Sequence, residues 1–230
     1  MSRLALLLLL AAAARAESPI PDAAGSVVRS KQWTVRRGKK PEEEFSGDVR
    51  YEASGARMTA DWALFRHWAD DWRARGRVYL RRELASGDVV EGRGETAAYD
   101  QKTQAGSLDP APGRLLSFTR TPATGGEPDL GEGRRLTWEG RETATLEGGA
   151  KVWGPRVEFR ADRARYDSAP PRLTLDGGRP VLRRIDGGTL GAVKADQIVG
   201  YDEPRRMIAT GRAVGWLVFS DTSTLKGLSR

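Results

Sequence analysis

The stretch Ala161–Asp167 (ADRARYD) decides the fold, because close copies of it return along the chain. Strong copies are Ala60–Phe65 (ADWALF) and Ala195–Asp202 (ADQIVGYD), and a weaker one is Gly94–Asp100 (GETAAYD). Each copy leads, after a polar turn, to a glycine that is followed by an apolar segment. Stacked structural units produce an internal repeat of this kind. The repeat therefore predicts an architecture before any single residue predicts a chemistry.

The copies recur at a nearly constant interval. Their acidic or equivalent positions are Ser30, Asp61, Glu95, Asp162 and Asp196. The intervals between these positions are 31, 34, 67 and 34 residues, and 67 is nearly two periods. Leu136–Trp138, followed by Ala144–Gly149, supplies the missing copy inside the long interval. Six copies in a row predict a solenoid or a roll of sheets.

Within a copy the apolar residues alternate with polar ones, as in a β-strand. Val157 and Phe159 share one parity, whereas Ala164 and Tyr166 share the other, so the phase changes at Asp162. A strand can change the face it buries only where it bulges or bends. Each Ala-Asp pair is therefore predicted to be a corner between two sheets. We expect its aspartate to cap backbone N–H groups freed by the bend.

Glycines mark a second kind of corner. Gly76, Gly149, Gly178 and Gly211 each stand between a short strand-like segment and an apolar one. Glycine provides the backbone freedom that such a kink needs. No segment of the mature chain has the pattern of a long helix. The sequence predicts an all-β protein.

One segment, residues 106–133, interrupts the repeat. It holds Pro110, Pro112, Pro122 and Pro128 around a single strand-like run, Leu115–Phe118. Such a segment is long for a simple connection. It is interpreted as a loop excursion, either functional or disordered, and the disordered alternative is favoured.

The N-terminus has the features of a secretion signal. Arg3 precedes the apolar run Leu4–Ala13, and Ala14–Ala16 (ARA) fits the small-x-small cleavage rule. The run is shorter than the roughly 20 apolar residues needed to span a bilayer. We expect a signal peptide at 1–16, a linker at 17–29, the repetitive domain at 30–220 and a tail at 221–230. A location outside the cytoplasm follows. A chain without cysteine can form neither disulfides nor thiolate metal sites.

The charge balance is basic, with 38 Lys and Arg residues against 31 Asp and Glu residues. A basic excess favours an anionic partner such as nucleic acid, lipid headgroups or acidic sugars. Export argues against nucleic acid. The arginines are scattered singly along the predicted strands, as they would also be on ordinary solvated strand faces.

No catalytic set is visible in the sequence. His67 is the only histidine, which excludes histidine-based triads and multi-histidine metal sites. Ser223–Lys226 matches a Ser-x-x-Lys motif, but the partner motifs of serine acyl-enzymes do not follow it. We therefore expect no enzyme activity, no metal and no cofactor. A secreted hydrolase is the weakest of the alternatives.

Three segments carry a family resemblance. Phe45–Tyr51 (FSGDVRY), Arg57–Asp61 (RMTAD) and Arg75–Leu80 (RGRVYL) resemble the OstA-like family of lipopolysaccharide transport, over about residues 30–220. The resemblance implies a twisted, V-shaped β-jelly roll with a groove open along one side. It also implies that acyl chains of lipopolysaccharide lie in the groove. A cleavable signal favours the periplasmic bridge member (LptA) over the inner-membrane-associated member (LptC).

The resemblance implies partners as well as a ligand. We expect lipid A acyl chains in the groove, edge-strand pairing with other OstA-like domains such as an LptC-like protein and the outer-membrane assembly protein, and head-to-tail self-association. The rival interpretation is a ligand-free structural β-solenoid of the cell envelope, filled by its own side chains. Small alanines at 60, 63, 161, 164 and 195 leave room inside and favour the groove.

Two sets of site residues are predicted, one apolar and one basic. The lipid-groove residues are Val49, Met58, Phe65, Val78, Leu80, Leu146, Phe159, Tyr166, Leu175, Ile198 and Ile208. The rim residues expected to contact phosphate or acidic sugar are Arg57, Arg77, Arg179 and Arg212.

Overall fold

Strands account for all the regular secondary structure that the computed structural model shows. It describes residues 26–219 apart from 54, 85–86, 141–142, 156, 169, 187–188 and 202–205. The predicted signal peptide, most of the linker and the tail at 221–230 lie outside the described residues. Within the described part there is no helix, and so none that could cross a membrane. The predicted fold class, an all-β repetitive β-jelly roll, is confirmed.

Eighteen strands form one antiparallel sheet. In chain order they are β1 Val27–Arg29, β2 Gln32–Arg36, β3 Glu42–Ala53, β4 Ala56–Arg66, β5 Asp71–Glu83, β6 Val89–Asp100, β7 Ala105–Asp109, β8 Leu116–Thr121, β9 Asp129–Gly133, β10 Arg135–Glu139, β11 Thr143–Trp153, β12 Val157–Ser168, β13 Pro171–Asp176, β14 Val181–Asp186, β15 Thr189–Lys194, β16 Gln197–Tyr201, β17 Arg206–Thr210 and β18 Val214–Phe219.

The strands make twelve successive crossings of the sheet, which we call passes. Six passes are single long strands, namely β3, β4, β5, β6, β11 and β12. The other six are pairs of short strands in line: β1 with β2, β7 with β8, β9 with β10, β13 with β14, β15 with β16, and β17 with β18. Each pass is antiparallel to the next in sequence. One repeat of about 34 residues therefore corresponds to two passes.

Every pass bends near its middle. In the long strands the pairing register shifts at Ser46/Val49, Thr59/Trp62, Arg75/Val78 and Glu147/Ala150. These shifts are bulges, which increase the local bend and twist of a strand. Three of them lie at the predicted corners at Asp61, Gly76 and Gly149, and the fourth lies at Gly47, which was not predicted. The predicted bends are thus confirmed there, but they join two halves of one sheet and not two separate sheets.

The line of corners divides the sheet into two halves. Half A contains β2, β7, β10, β13, β16 and β17 with the long-strand segments that pair with them, and half B contains β1, β8, β9, β14, β15 and β18 with theirs. The bends bring the inner faces of the halves together. Leu108 of half A lies against Gly92 and Gly94 of half B. The rings of Tyr51 in half B and Trp72 in half A have centroids 5.4 Å apart.

The prediction that residues 106–133 form a loop excursion is wrong. Strand β7 pairs with one half of β6 and β8 with the other, so together they are one pass. Strand β9 continues the sheet beside β8. The prolines lie in the short links between these strands, where no ladder hydrogen bond is lost. Leu108 and Leu116 are among the most deeply buried side chains.

Candidate functional site

The space between the two halves is lined by rows of residues that run through every pass. The row of half A next to the corners is Trp33, Phe45, Ala63, Ala74, Ala97, Leu108, Leu136, Leu146, Ala164, Leu175, Ile198 and Ala209. The facing row of half B is Val28, Tyr51, Met58, Leu80, Gly92, Phe118, Gly131, Val152, Phe159, Leu182, Val193 and Gly215. Neither row contains a charged residue in any of the twelve passes.

Ten of the eleven predicted groove residues lie on these inner faces. Val49, Val78, Leu146, Phe159, Leu175 and Ile198 are buried members of the two core clusters. Met58, Phe65 and Leu80 are half-buried and pack against the cluster near the N-terminal end. Tyr166 is half-buried, and it pairs with Ala144 and Leu173 across the sheet. The alternation of apolar residues was therefore sufficient to identify these positions.

The prediction for Ile208 is wrong. Ile208 is 41% exposed, and it pairs with Val199, whereas its neighbour Ala209 pairs with the buried Ile198. Ala209 packs against the core, so Ile208 lies on the outer face. The bulky Ile208 suggested the wrong parity, because the inward position beside the corner is occupied by the small Ala209 and β17 has no second neighbouring strand among the described residues.

Sequence reasoning missed the centre of the interior. Leu108 and Leu116 are 0% and 1% exposed, and both belong to the segment that was predicted to be a loop. A Cβ atom on Gly92 or on Gly94 would lie 2.8 Å from a Leu108 methyl group. Likewise, a Cβ on Gly133 would lie 2.6 Å from Leu146. Glycines in half B thus let leucines of half A fill the middle of the molecule.

The interior near the N-terminal end is aromatic instead. Trp33 stacks on Phe45 with ring centroids 6.2 Å apart, and Phe45 stacks on Trp72 at 5.9 Å. Trp72 also stacks on Phe65 at 4.8 Å. Burial raises the pKa of the nearby Tyr51 phenol. The stack ends at Trp33, which is 46% exposed, so the apolar interior reaches the surface at this end.

Two of the predicted rim arginines are bound to the corner aspartates. The Arg77 guanidinium donates to Asp61 with an Nε–Oδ1 distance of 3.0 Å, and Arg212 donates to Asp196 at the same distance. These bonds lower the pKa of both carboxyl groups. The predicted capping of backbone N–H groups by aspartate is therefore wrong at these corners. The carboxylates instead bind the arginine that follows the opposing corner glycine.

The four predicted rim arginines do not form one cluster. Arg179 Nη2 donates to the Arg212 carbonyl oxygen at 3.1 Å, so these two are neighbours. Arg77 lies on β5, six passes before Arg179, and Arg57 forms an ion pair with Glu52 at 3.1 Å on the outer face of half B. Arg77, Arg179 and Arg212 have positive φ angles of 48°, 56° and 39°. A common backbone conformation thus recurs along the corners.

We expect Gly76→Ala to destabilise the protein more than Gly149→Ala. Both glycines have φ near +80°, at +77° and +83°, and alanine should cost each about 1 kcal/mol in that conformation. A Cβ at Gly76 would also lie 2.5 Å from Asp61 Oδ2, whereas no atom lies within 4 Å at Gly149. The extra loss for Gly76→Ala should be about 1–2 kcal/mol. Urea unfolding of both variants measures it, and equal losses would contradict the corner geometry.

Asp167 is a buried carboxylate with a structural set of partners. Thr143 Oγ1 and Arg165 Nε each donate to it at 3.0 Å, and Arg172 Nη2 donates at 2.8 Å. Burial works to raise the pKa of Asp167, but these hydrogen bonds outweigh it, so the pKa lies below its ordinary value. Its charged form therefore stabilises the fold above the unfolded-state pKa of 3.8.

This stabilisation should be lost as the pH falls below about 4, through the lowered folded-state pKa. We expect Asp167→Asn to lower the free energy of unfolding at pH 7 by about 2 kcal/mol. Because asparagine does not titrate, the variant should also lose less stability than the parent between pH 4 and pH 2. Thermal unfolding across this range measures both effects, with the exposed Glu139→Gln as control. Parallel pH curves for parent and Asp167→Asn would refute the assignment.

The described residues offer little for metal or acid–base chemistry. No group of three or more His, Cys, Asp or Glu side chains in the described part of the chain could hold a metal ion. His67 Nε2 lies 2.7 Å from Glu43 Oε1 on the surface. Ser223 and Lys226 lie outside the described residues. The inner faces of the two halves can shield apolar groups from water, and the end passes can pair with additional strands.

The two end passes carry most of the exposed large hydrophobic residues. Seven of the ten such residues in the described chain lie there: Trp33, Val35, Met207, Ile208, Val214, Trp216 and Leu217. Strand β2 pairs only with β3, β17 only with β16, and β18 only with β15 among the described strands. Each end pass therefore offers an unpaired backbone edge beside apolar side chains.

Comparisons with known proteins show a similarity of structure but not of sequence. No protein-family model matches the sequence, and no curated protein matches it significantly. Among solved structures, the chain is similar to LptH from Pseudomonas aeruginosa, described as the LptA-homologous periplasmic component of the conserved lipopolysaccharide transport device. The identity is 16%, the TM-score is 0.46, and the match covers 54% of this chain and 82% of that one. A likeness at this level is no evidence of shared function.

Proposed function

We propose that the protein is a periplasmic carrier that covers the acyl chains of lipopolysaccharide between its two halves, in the manner of an LptA-type bridge. The observation that supports it most is the pair of inner rows that stay uncharged through all twelve passes. A row of this length gives acyl chains a continuous apolar path. Each methylene group transferred from water to such a path contributes about 0.8 kcal/mol.

The exposed ends of the sheet support the proposed pairing with a second copy of this chain and with other OstA-like domains. An unpaired edge beside exposed apolar side chains is a liability in a monomer but a docking surface for strand addition. The N-terminal end exposes Trp33 and Val35, and the C-terminal end exposes Trp216 and Leu217. Pairing of one end with the other would join the uncharged rows of successive molecules. Other OstA-like domains would join at the ends of such a chain.

Transport direction would come from outside this chain. A ligand can move along a passive apolar path equally well in either direction. Net transport therefore requires an ATP-driven transporter that loads the path from one end. The rim arginines Arg57, Arg77, Arg179 and Arg212 would contact phosphates or acidic sugars that remain outside. Arg57, Arg77 and Arg212 would have to exchange their present carboxylate partners to do so.

The path is tested by photo-crosslinking at pairs of adjacent residues. Met58 and Leu182 point inward and are half-buried, while their neighbours Thr59 and Arg183 point outward. A photoreactive residue at each position, exposed to lipopolysaccharide, should give adducts at 58 and 182 and none at 59 and 183. Adducts should disappear with competing lipid A. Equal yields inside and outside, or no adducts, would contradict the proposal.

A self-filled β-solenoid is the second candidate function. It is favoured by the burial of Leu108 and Leu116, which fill the centre of the interior with the protein's own side chains. A structural solenoid would polymerise without lipid and give no inner adducts. The carrier would give inner adducts whether or not it polymerises.

End-to-end pairing is tested by placing charge on the edges. Val35→Lys and Leu217→Lys should each abolish concentration-dependent association in light scattering, because lysine on an edge opposes strand addition. Leu115→Lys, at a residue that is 49% exposed but remote from both ends, is the matched control. Association that survives both edge variants would contradict end-to-end pairing.

The choice between an LptA-type bridge and an LptC-type component depends on the N-terminus. Mass spectrometry of the protein recovered from the periplasm decides it. Cleavage after Ala16 leaves Glu17 as the first residue and supports the bridge. Retention of Leu4–Ala13 supports the membrane-associated alternative.

A further inference from the structure

The outer faces of the two halves differ in how they arrange charge. In half A the outward side chains of neighbouring strands form complementary series. Arg135 pairs with Glu147, Glu147 with Arg163, and Arg163 with Asp176. A second series is Arg36, Glu42, Arg66 and Asp71. Opposite charges on directly paired residues stabilise a sheet.

Half B differs in that it also contains direct pairs of cations, beside opposite-charge pairs such as Glu52 with Arg57. Arg29 pairs directly with Arg50, Arg57 with Arg81, and Lys151 with Arg160. Like charges in direct cross-strand pairs are destabilising. The outward row next to the corners of half B is Arg29, Arg50, Thr59, Tyr79, Arg93, Ser117, Glu132, Lys151, Arg160, Val181, Lys194 and Val214. It holds six cations and one acid, so the basic excess of the chain is concentrated on this face.

The strongest concentration lies at the N-terminal end. We define the arginine patch as the outward cations of the first five passes of half B: Arg29, Arg50, Arg57, Arg81 and Arg93. Three acids, Glu52, Glu83 and Glu91, lie among the five cations on this face. Within the described chain, no carboxylate lies within ion-pair distance of Arg29, Arg50 or Arg81, and the Arg93 guanidinium lies over the Tyr79 ring at 5.1 Å. Most of these cations are therefore available to an external anion.

We propose that the arginine patch docks on the anionic headgroup surface of a phospholipid bilayer. Guanidinium groups bind phosphate oxygens in a bidentate manner. The patch spreads them over five strands that lie about 4.8 Å apart, which suits an array of headgroups better than a single phosphate. A sheet twists by about 20–25° per strand, so a planar surface can meet only a few neighbouring passes. This restricts the docking surface to one end of the molecule.

The position of the patch in the chain supports a membrane as its partner. Arg29 follows the apolar run Leu4–Ala13 by only 16 residues. Export directed by the predicted signal peptide would bring this end of the molecule to a membrane surface before any other. The outer face of half A in the same passes pairs its charges internally, as Arg66 does with Asp71, and would not compete for the surface.

The test is co-sedimentation of the full mature protein with vesicles. One set contains equal amounts of phosphatidylglycerol and phosphatidylcholine, and the other contains phosphatidylcholine alone. We expect binding to the first set only, weakening as salt is added. Arg50→Gln with Arg81→Gln should weaken binding about tenfold or more. Arg73→Gln with Arg75→Gln removes the same charge from the outer face of half A in neighbouring passes, and it should change binding less than twofold.

Three results would overturn the proposal. In the first, the parent protein fails to bind the anionic vesicles. In the second, the two double variants lose affinity equally, which would indicate a response to net charge alone. In the third, inorganic phosphate displaces the protein from the vesicles at constant ionic strength, which would indicate a single phosphate site. Circular dichroism of both variants confirms that they are folded. The assay contains no lipopolysaccharide, so its outcome is independent of the proposed carrier function.

Discussion

Leu108→Ala should lower the free energy of unfolding by about 3–5 kcal/mol, within the range for large-to-small changes in a rigid core. Leu108 is fully buried, and its methyl groups meet Gly92 and Gly94 of the opposite half. Glycine has no side chain that could move into the space, so the cavity would persist. Guanidinium unfolding measures the loss. It should appear as a lower midpoint with an unchanged slope.

Leu115→Ala is the matched control, because Leu115 is adjacent to the buried Leu116 yet is 49% exposed. Its effect should stay within about 0.5 kcal/mol. Equal small effects at both positions would mean that the centre is not filled as described. The cavity in Leu108→Ala would be apolar and at the midpoint of the proposed acyl path. Lipopolysaccharide adducts at position 58 should therefore not decrease in this variant.

Gly106→Ala should cost about 3 kcal/mol, at the upper end of the range for overpacking. A Cβ atom there would lie 2.2 Å from the Trp138 ring and 2.8 Å from the Ala98 carbonyl oxygen. A flexible side chain could yield to the added methyl group, but a backbone oxygen in a central strand cannot. Differential scanning calorimetry should show a decrease in Tm of about 2–4 °C for each kcal/mol in a protein of this size.

Gly200→Ala is the control from the same row of half A. Gly106 pairs with Trp138, that row continues through Tyr166 and Leu173, and Leu173 pairs with Gly200. No atom lies within 4 Å of a Cβ placed at Gly200. Alanine should be neutral there or stabilise by about 0.4–1 kcal/mol, because it reduces the freedom of the unfolded chain. A larger loss at Gly200 than at Gly106 would contradict the packing of this row.

Much of the fold could be predicted because the repeat reflects interactions between residues that are close together in the sequence. Alternation of period two identified the strands, and its change of phase at Asp61, Asp162 and Asp196 located the bends. The same alternation placed ten of the eleven groove residues on the inner face. These features depend on near neighbours in the chain, which a sequence shows directly.

The misses concern features that depend on distant neighbours. Residues 106–133 look like a loop because Pro110 and Pro112 occupy the position where other passes have a corner glycine. Only the pairing of β7 and β8 with the two ends of β6 shows that they form one pass. The partner of two corner aspartates is an arginine 16 residues away: Arg77 for Asp61 and Arg212 for Asp196. Nothing near the aspartate in sequence indicates that bond.

In the part of the chain that the structure describes, each pass pairs only with the passes immediately before and after it. The length of the sheet can therefore be calculated from the number of repeats in the sequence. Twelve passes spaced about 4.8 Å apart extend roughly 50 Å along the sheet. Adding or removing one repeat would change that reach by about 10 Å and leave both end passes, with their edges, as they are. A longer or shorter sheet can thus arise by duplication or loss of a repeat in the gene, without any change to the surfaces at either end.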